Sequence, residues 1–263
     1  MRSNNSTKIK SIIVGSRFYL ILRYILTFVD LLKMFASSKH APTRAYCISP
    51  YKTASTYVAG LYSQTSSSAH EPLQHATLLF RHNISFFKSR SAYLSLDLEC
   101  SGFLSNSLGS IRQISPDAPV LFIFRKFDSW VKSLIDHQTY LSQWQGYPYT
   151  SRLLVDRIIG FRTENFFHQT EAVQIKAINN LFDYWYNTYN SALLDRNSLV
   201  VPIEDIDKSV LEISAFLGLP VPSVDRKTWK RRAAYDSDFD YESLINKTEI
   251  LAKKKDFESQ FYK

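Results

Sequence analysis

The chain has 263 residues, 45% hydrophobic and 14% aromatic, enough apolar surface to fill a core, which excludes a disordered chain. A formal charge of +8 favours anionic partners, whether nucleic acid, a membrane surface or a small ligand with several phosphates. The two cysteines, Cys47 and Cys100, stand too far apart for a zinc spacing, and Cys47 falls in a predicted core strand, so free thiols in a reducing compartment are expected.

Residues 1–10 are polar and basic, and residues 11–35 turn strongly apolar. Arg17 and Arg23 interrupt that run, and each costs about 2.5–3.5 kcal/mol near a bilayer centre, which argues against a spanning helix. Helical spacing sets Phe18, Ile21, Leu22, Ile25, Val29 and Leu32 on one face and Ser16, Arg23, Thr27 and Asp30 on the other. An amphipathic helix is therefore expected, packed on the domain or touching a membrane surface through residues 11–35, with a signal anchor as the alternative. A cleaved signal peptide is not expected. Residues 1–40 are read as this segment and 41–263 as the main domain, with residues 36–43 as the linker. The expected location is cytoplasmic and peripheral at a membrane, the alternative being a membrane-anchored protein.

Residues 45–48 (Ala-Tyr-Cys-Ile) read as a buried strand that breaks at Ser49-Pro50 and hands over to a helix. Lys52, Thr53, Ser55 and Thr56 cluster at this junction, where free N–H groups and the positive end of a helix dipole suit an anion. Ser49, Pro50 and Tyr51 stand where a Walker loop needs glycine, so another kind of phosphate cradle, or an ordinary capped loop, is indicated. Ala69-His70-Glu71-Pro72-Leu73-Gln74-His75 follows the helix, and residues 92–99 alternate weakly as a strand before a turn at Ser101-Gly102 and a short helix through Ile111. Asp117-Ala118-Pro119 then opens a continuous apolar run over residues 120–124, the pattern of a strand covered on both faces. Arg125 sits at its carboxyl end, and Ser133 comes eight residues later in a helical run with Trp130, Val131, Leu134 and Ile135. An arginine fork with a hydroxyl suits a terminal phosphate, while pairing of Arg125 with Asp128 is the alternative. Strands alternating with helices predict an α/β, three-layer αβα domain with a central parallel sheet and a ligand at the carboxyl ends of its strands.

Residues 145–175 carry Gly146, Tyr147, Pro148, Arg152, Arg157, Arg162 and His168 without a motif, and read as surface. A helix over 177–194, a strand near 199–203, Glu204-Asp205 and Phe216-Leu217-Gly218-Leu219-Pro220 follow, and the basic run 226–232 reads as a solvated tail.

Four segments in order resemble the PAPS-dependent sulfotransferases. Pro50-Tyr51-Lys52-Thr53-Ala54-Ser55-Thr56-Tyr57 is similar to the family's 5′-phosphosulfate loop, with Tyr51 inserted and Ala54 in place of glycine. Glu71-Pro72-Leu73-Gln74-His75 is similar to a run common in carbohydrate sulfotransferases. Residues 116–133 resemble the segment whose Arg and Ser bind the 3′-phosphate, with Lys126-Phe127 where Asp-Pro is usual, and residues 189–220 resemble the late segment. Arg226-Lys227 resembles part of a further phosphate-binding run.

The resemblance implies a P-loop nucleotide-binding fold and sulfuryl transfer from PAPS to a hydroxyl or amine, by in-line displacement and without a metal. It implies a carbohydrate or glycolipid acceptor and no nucleic acid. Lys52, Thr53, Ala54, Ser55, Thr56, Tyr57, Arg125 and Ser133 would hold PAPS, Lys52 would also be catalytic, and Glu71, then His75 or His70, would act as base. A P-loop kinase, or a non-catalytic membrane- or anion-binding protein on the same fold, is the alternative.

Overall fold

A computed structural model describes residues 17–36, 41–145, 150–223 and 237–262. In chain order it contains α1 (Arg17–Ala36), β1 (Ala45–Cys47), α2 (Ser55–Tyr62), β2 (Ser68–His70), α3 (Gln74–Phe80), α4 (Ile84–Leu94), β3 (Leu98–Cys100), α5 (Leu108–Ile114), β4 (Val120–Phe124) and α6 (Phe127–Gln145). It continues through α7 (Asp156–Ile159), α8 (Glu171–Leu194), β5 (Ser198–Pro202), α9 (Val210–Leu217), α10 (Tyr241–Asn246) and α11 (Leu251–Ser259).

The five strands form one parallel sheet in the order β2-β3-β1-β4-β5. Successive side chains point to opposite faces, and each face finds its own helices. Ala45, Cys47, Leu121 and Ile123 pack with Val58, Ala59 and Tyr62 of α2 and Ile213 and Leu217 of α9. On the other face, Tyr46, Ile48, Phe122 and Phe124 meet Trp130, Val131 and Leu134 of α6 and Leu181, Trp185 and Tyr189 of α8. The chain thus leaves β1 towards one face and β4 towards the other. Adjacent strands whose connections diverge leave a crevice at their carboxyl ends. Cys47 and Cys100 are buried, form no disulfide, and stand in register across β1 and β3.

Three expectations need correction. Residues 92–94 end α4 rather than begin a strand, because Ser95 closes that helix in a left-handed conformation, and β3 starts only at Leu98. Ser68–His70, not foreseen as a strand, is the edge strand β2. Helix α1 packs on α3 and α4 with the supposedly polar Thr27 and with Met34 buried, while Ile21, Ile25 and Leu32 face outward. Gly146, Tyr147 and Pro148 and the run 226–232, including Arg226 and Lys227, lie outside the described residues, as do residues 1–16 and 37–40.

Candidate functional site

The crevice between β1 and β4 is closed at its base by a side chain. Ser49, fully buried just past β1, accepts the Ile123 N–H of β4 at 2.7 Å. The chain then turns through residues 50–54, with the Thr53 hydroxyl donating to the Pro50 carbonyl at 2.7 Å. Lys52 (φ 77°) and Ala54 (φ 65°) both take the left-handed conformation, and Ala54 leads directly into α2. Alanine, standing where the resembled loop has glycine, costs about 1–2 kcal/mol in this conformation.

The inserted Tyr51 is a plug. Its ring stacks on Phe103 with centroids 5.4 Å apart, its hydroxyl lies 3.3 Å from His137 Nε2, and its carbonyl accepts the Trp130 indole N–H at 2.7 Å. Gly102 makes room for it: a Cβ there would sit 2.9 Å from the Tyr51 Cα. The extra residue thus anchors the loop to the turn that follows β3 and to α6.

At the end of β4, half-buried Arg125 donates from Nη1 to the Lys52 carbonyl at 2.9 Å and from Nε to Ser129 Oγ at 3.2 Å. Two of its five N–H donors are used. Burial lowers its pKa, opposed by Tyr189 and Glu204. The strand end is held by α8, whose Trp185 indole donates to the Arg125 carbonyl at 3.0 Å and whose Tyr189 hydroxyl donates to the Ile123 carbonyl at 2.7 Å. Ser133 is half-buried one turn beyond Ser129, on the same side of α6. Phe127 is buried edge-on to Phe182 and Trp185, its N–H bonded to Glu258, and Lys126 lies over the Tyr262 ring at 4.4 Å. The departure from Asp-Pro is therefore taken up by packing against the last helix.

The end of β2 supplies the third side. His70 Nε2 lies 3.2 Å from Ser55 Oγ, 3.0 Å from Thr56 Oγ1 and 3.7 Å from Glu71 Oε1. Glu71 and Leu73 are also left-handed, at φ 49° and 51°. Burial pushes the Glu71 carboxyl up to about 8, against the opposing pull of the Gly102 N–H and the Lys52 charge. A buried arginine holds this turn: Arg90 donates to the Pro72 carbonyl at 2.8 Å and to Thr77 at 2.7 Å, and grips Glu99 through two bonds of 2.6 and 2.7 Å. His75 is half-buried in the first turn of α3, whereas His70 is the histidine that meets the loop hydroxyls. Tyr57, on α2, donates its hydroxyl to Asp207, and burial with this carboxylate raises its pKa to about 12.

Three strand ends thus bring together a lysine, an arginine, a cluster of hydroxyls and a carboxyl held largely protonated near neutral pH. Among the described residues no group of three or more His, Cys, Asp or Glu could hold a metal ion. Sequence reasoning missed Ser129, although it lies one helical turn from Ser133, and missed Arg90 and Glu99, whose pairing depends on β3. No protein-family model matches the chain, and no curated protein matches it.

Proposed function

We propose that this protein is a sulfotransferase of P-loop nucleotide-binding type that moves a sulfuryl group from PAPS to a hydroxyl or amine of a carbohydrate or glycolipid acceptor. The observation that carries the reading is the 2.9 Å bond from the Arg125 guanidinium to the Lys52 carbonyl. It joins two cationic strand ends at the point where a parallel sheet binds ligands.

The residues suit the donor. Lys52, Thr53, Ala54, Ser55 and Thr56, with the N–H groups opening α2, form the end for the 5′-phosphosulfate. Arg125 and Ser133, joined by Ser129, form the end for the 3′-phosphate, and Tyr57, in the first turn of α2, is placed to border the base. When bound, the donor supplies the activated sulfuryl group. Lys52 and the fixed N–H donors oppose the charge that grows on the leaving oxygen, which favours the transition state over the ground state. Glu71, as its carboxylate, takes the acceptor proton, and its raised pKa makes it a stronger base than an ordinary carboxylate. His70 holds Ser55 and Thr56 in place beside it, and His75 is the second candidate for the base.

The test combines transfer from sulfur-labelled PAPS to glycan and lipid extracts with thermal shift. Stabilisation by 3′,5′-ADP without magnesium, with loss of label transfer in Lys52→Ala, is the expected outcome. Stabilisation by Mg-ATP alone would replace the reading with phosphoryl transfer.

A further inference from the structure

Helix α1 seats its narrow, partly polar side on the domain and turns its apolar side outward. Ile21, Ile25, Phe28, Leu32 and Phe35 recur at the spacing of a single stripe, and with Tyr24 they are between 53% and 66% exposed. The inward side is Thr27 and Met34, and Leu31 and Leu73 pack against the cluster that Met34 forms with Ala76 and Phe86. The patch does not stop at the helix. Leu79 and Phe80, at the end of α3 on which α1 rests, are also exposed, and Phe80 touches Phe86 of that shared cluster with ring centroids 5.4 Å apart. Continuous exposed apolar surface of this kind marks an interaction site.

The charge beside the patch says what it meets. Arg81 and His82 follow Phe80 directly, the Arg81 Nε donates to His82 at 3.1 Å, and Arg81 Nη1 is shielded from solvent without a hydrogen-bond partner. Arg157 is close enough to depress the pKa of both, after the larger effect of burial. In the sequence, Arg2, Lys8, Lys10, Arg17 and Arg23 precede the first acidic residue, Asp30. An apolar stripe on an amphipathic helix, continued by Leu79 and Phe80 next to Arg81 and with Arg157 near, is complementary to acyl chains beneath anionic headgroups.

We propose that α1 and the Leu79–Phe80 tip of α3 dock this protein on the surface of an anionic lipid bilayer. The helix lies in the interface rather than crossing it, since no described helix is long and apolar enough to span a membrane. A second copy of the chain fits less well, because a two-fold pairing would bring the same cations face to face. The docking stands apart from the transfer reading and does not depend on it.

The full chain is tested by flotation with vesicles of phosphatidylcholine alone or with phosphatidylserine, alongside sedimentation without lipid. Binding to the anionic vesicles should exceed binding to neutral ones by about tenfold or more. Phe28→Asp, at an exposed position where folding is not at stake, should lower it by about tenfold or more, and Arg157→Gln by about fivefold. Unchanged flotation in Phe28→Asp, or no flotation with either vesicle, overturns the proposal. So does a wild-type dimer that Phe28→Asp converts to monomer without any lipid binding, which would make the face a homodimer interface. Vesicle binding without transfer of label would leave the docking intact and remove only the transferase reading.

Discussion

The two sides of the crevice are held by different means. On the β1–β2 side, Lys52, Ala54, Glu71 and Leu73 are all non-glycine residues with positive φ, and the turn behind them rests on a buried ion pair. The β4 end contains no such residue and is held by aromatic packing, with Phe124 against Trp185, Tyr189 and Phe261 and two ring-borne donors capping its carbonyls. Backbone strain persists only where the surroundings over-determine it, and it concentrates at sites of chemistry and ligand clamping. The strained side carries the proposed reacting groups, Lys52 and Glu71. The unstrained side carries Arg125, whose proposed task is to hold one end of a ligand.

Removing the support of the strained side should have the largest effect on folding. Arg90 and Glu99 are both fully buried, so Arg90→Met leaves an uncompensated carboxylate and should cost about 3–5 kcal/mol by chemical denaturation. Replacing both partners, Arg90→Met with Glu99→Leu, should recover much of that stability. If the Pro72 carbonyl depends on Arg90 for its position, transfer activity should not return with it. Recovery of both would show that the pair serves stability alone.

Charge removal comes next. Lys52→Ala should lower kcat/KM for label transfer by about 10²–10³, a loss of roughly 2.7–4 kcal/mol in transition-state stabilisation, with little change in melting temperature. Arg125→Lys retains the charge but loses the fork, and should act mainly through weaker 3′,5′-ADP binding. A pattern reversed between the two variants would contradict the division of labour between the two sides.

The Glu71 carboxyl provides a milder perturbation. Transfer requires its carboxylate, so kcat/KM should rise with pH through about 8 and then level, and Glu71→Gln should abolish the rise together with most of the rate. Stability has the opposite sign. With the folded pKa raised from 4.5 to about 8, the folded state holds its proton more tightly, and the contribution present below pH 4.5 is lost as pH rises through 8. The wild type should therefore lose melting temperature relative to Glu71→Gln across that window. Parallel melting curves would mean that the carboxyl is not held as its burial implies.

The same contrast explains what could be read from the sequence. Strand β4 was legible because both faces of the sheet are covered, so Val120 to Phe124 form one apolar run with Arg125 as its visible end. The β1 loop was legible because its lysine and hydroxyls are neighbours in sequence. Strand β2 was not: Ser-Ala-His is short, polar and at the sheet edge, and its pairing to Leu98–Cys100 leaves no periodic trace. Nor could periodicity say which face of α1 packs inward, since Thr27 is buried by α3 and α4, elements far along the chain. Tyr51 appeared as an insertion only; its function follows from the approach of Gly102, fifty-one positions later, to within contact of its backbone.

The smallest expected effect bears most directly on the strain itself. Ala54 is left-handed (φ 65°, ψ 17°) at the entry to α2, in the position where the resembled loop has glycine. Ala54→Gly removes a steric cost of about 1–2 kcal/mol in the folded state and adds about 0.4–1 kcal/mol of chain entropy to the unfolded one. The net gain should be about 0.5–1 kcal/mol, read as a higher urea midpoint at unchanged slope. Activity then separates two accounts of the alanine. If it only tolerates the turn, transfer by Ala54→Gly should equal or exceed the wild type. If the added methyl braces the loop against Tyr57, Leu61 and the α2 face of the sheet that it joins, the more stable variant should transfer more slowly. A loss of stability would instead mean that the loop does not occupy this left-handed turn, and with it would go the strain on the Lys52 side of the crevice.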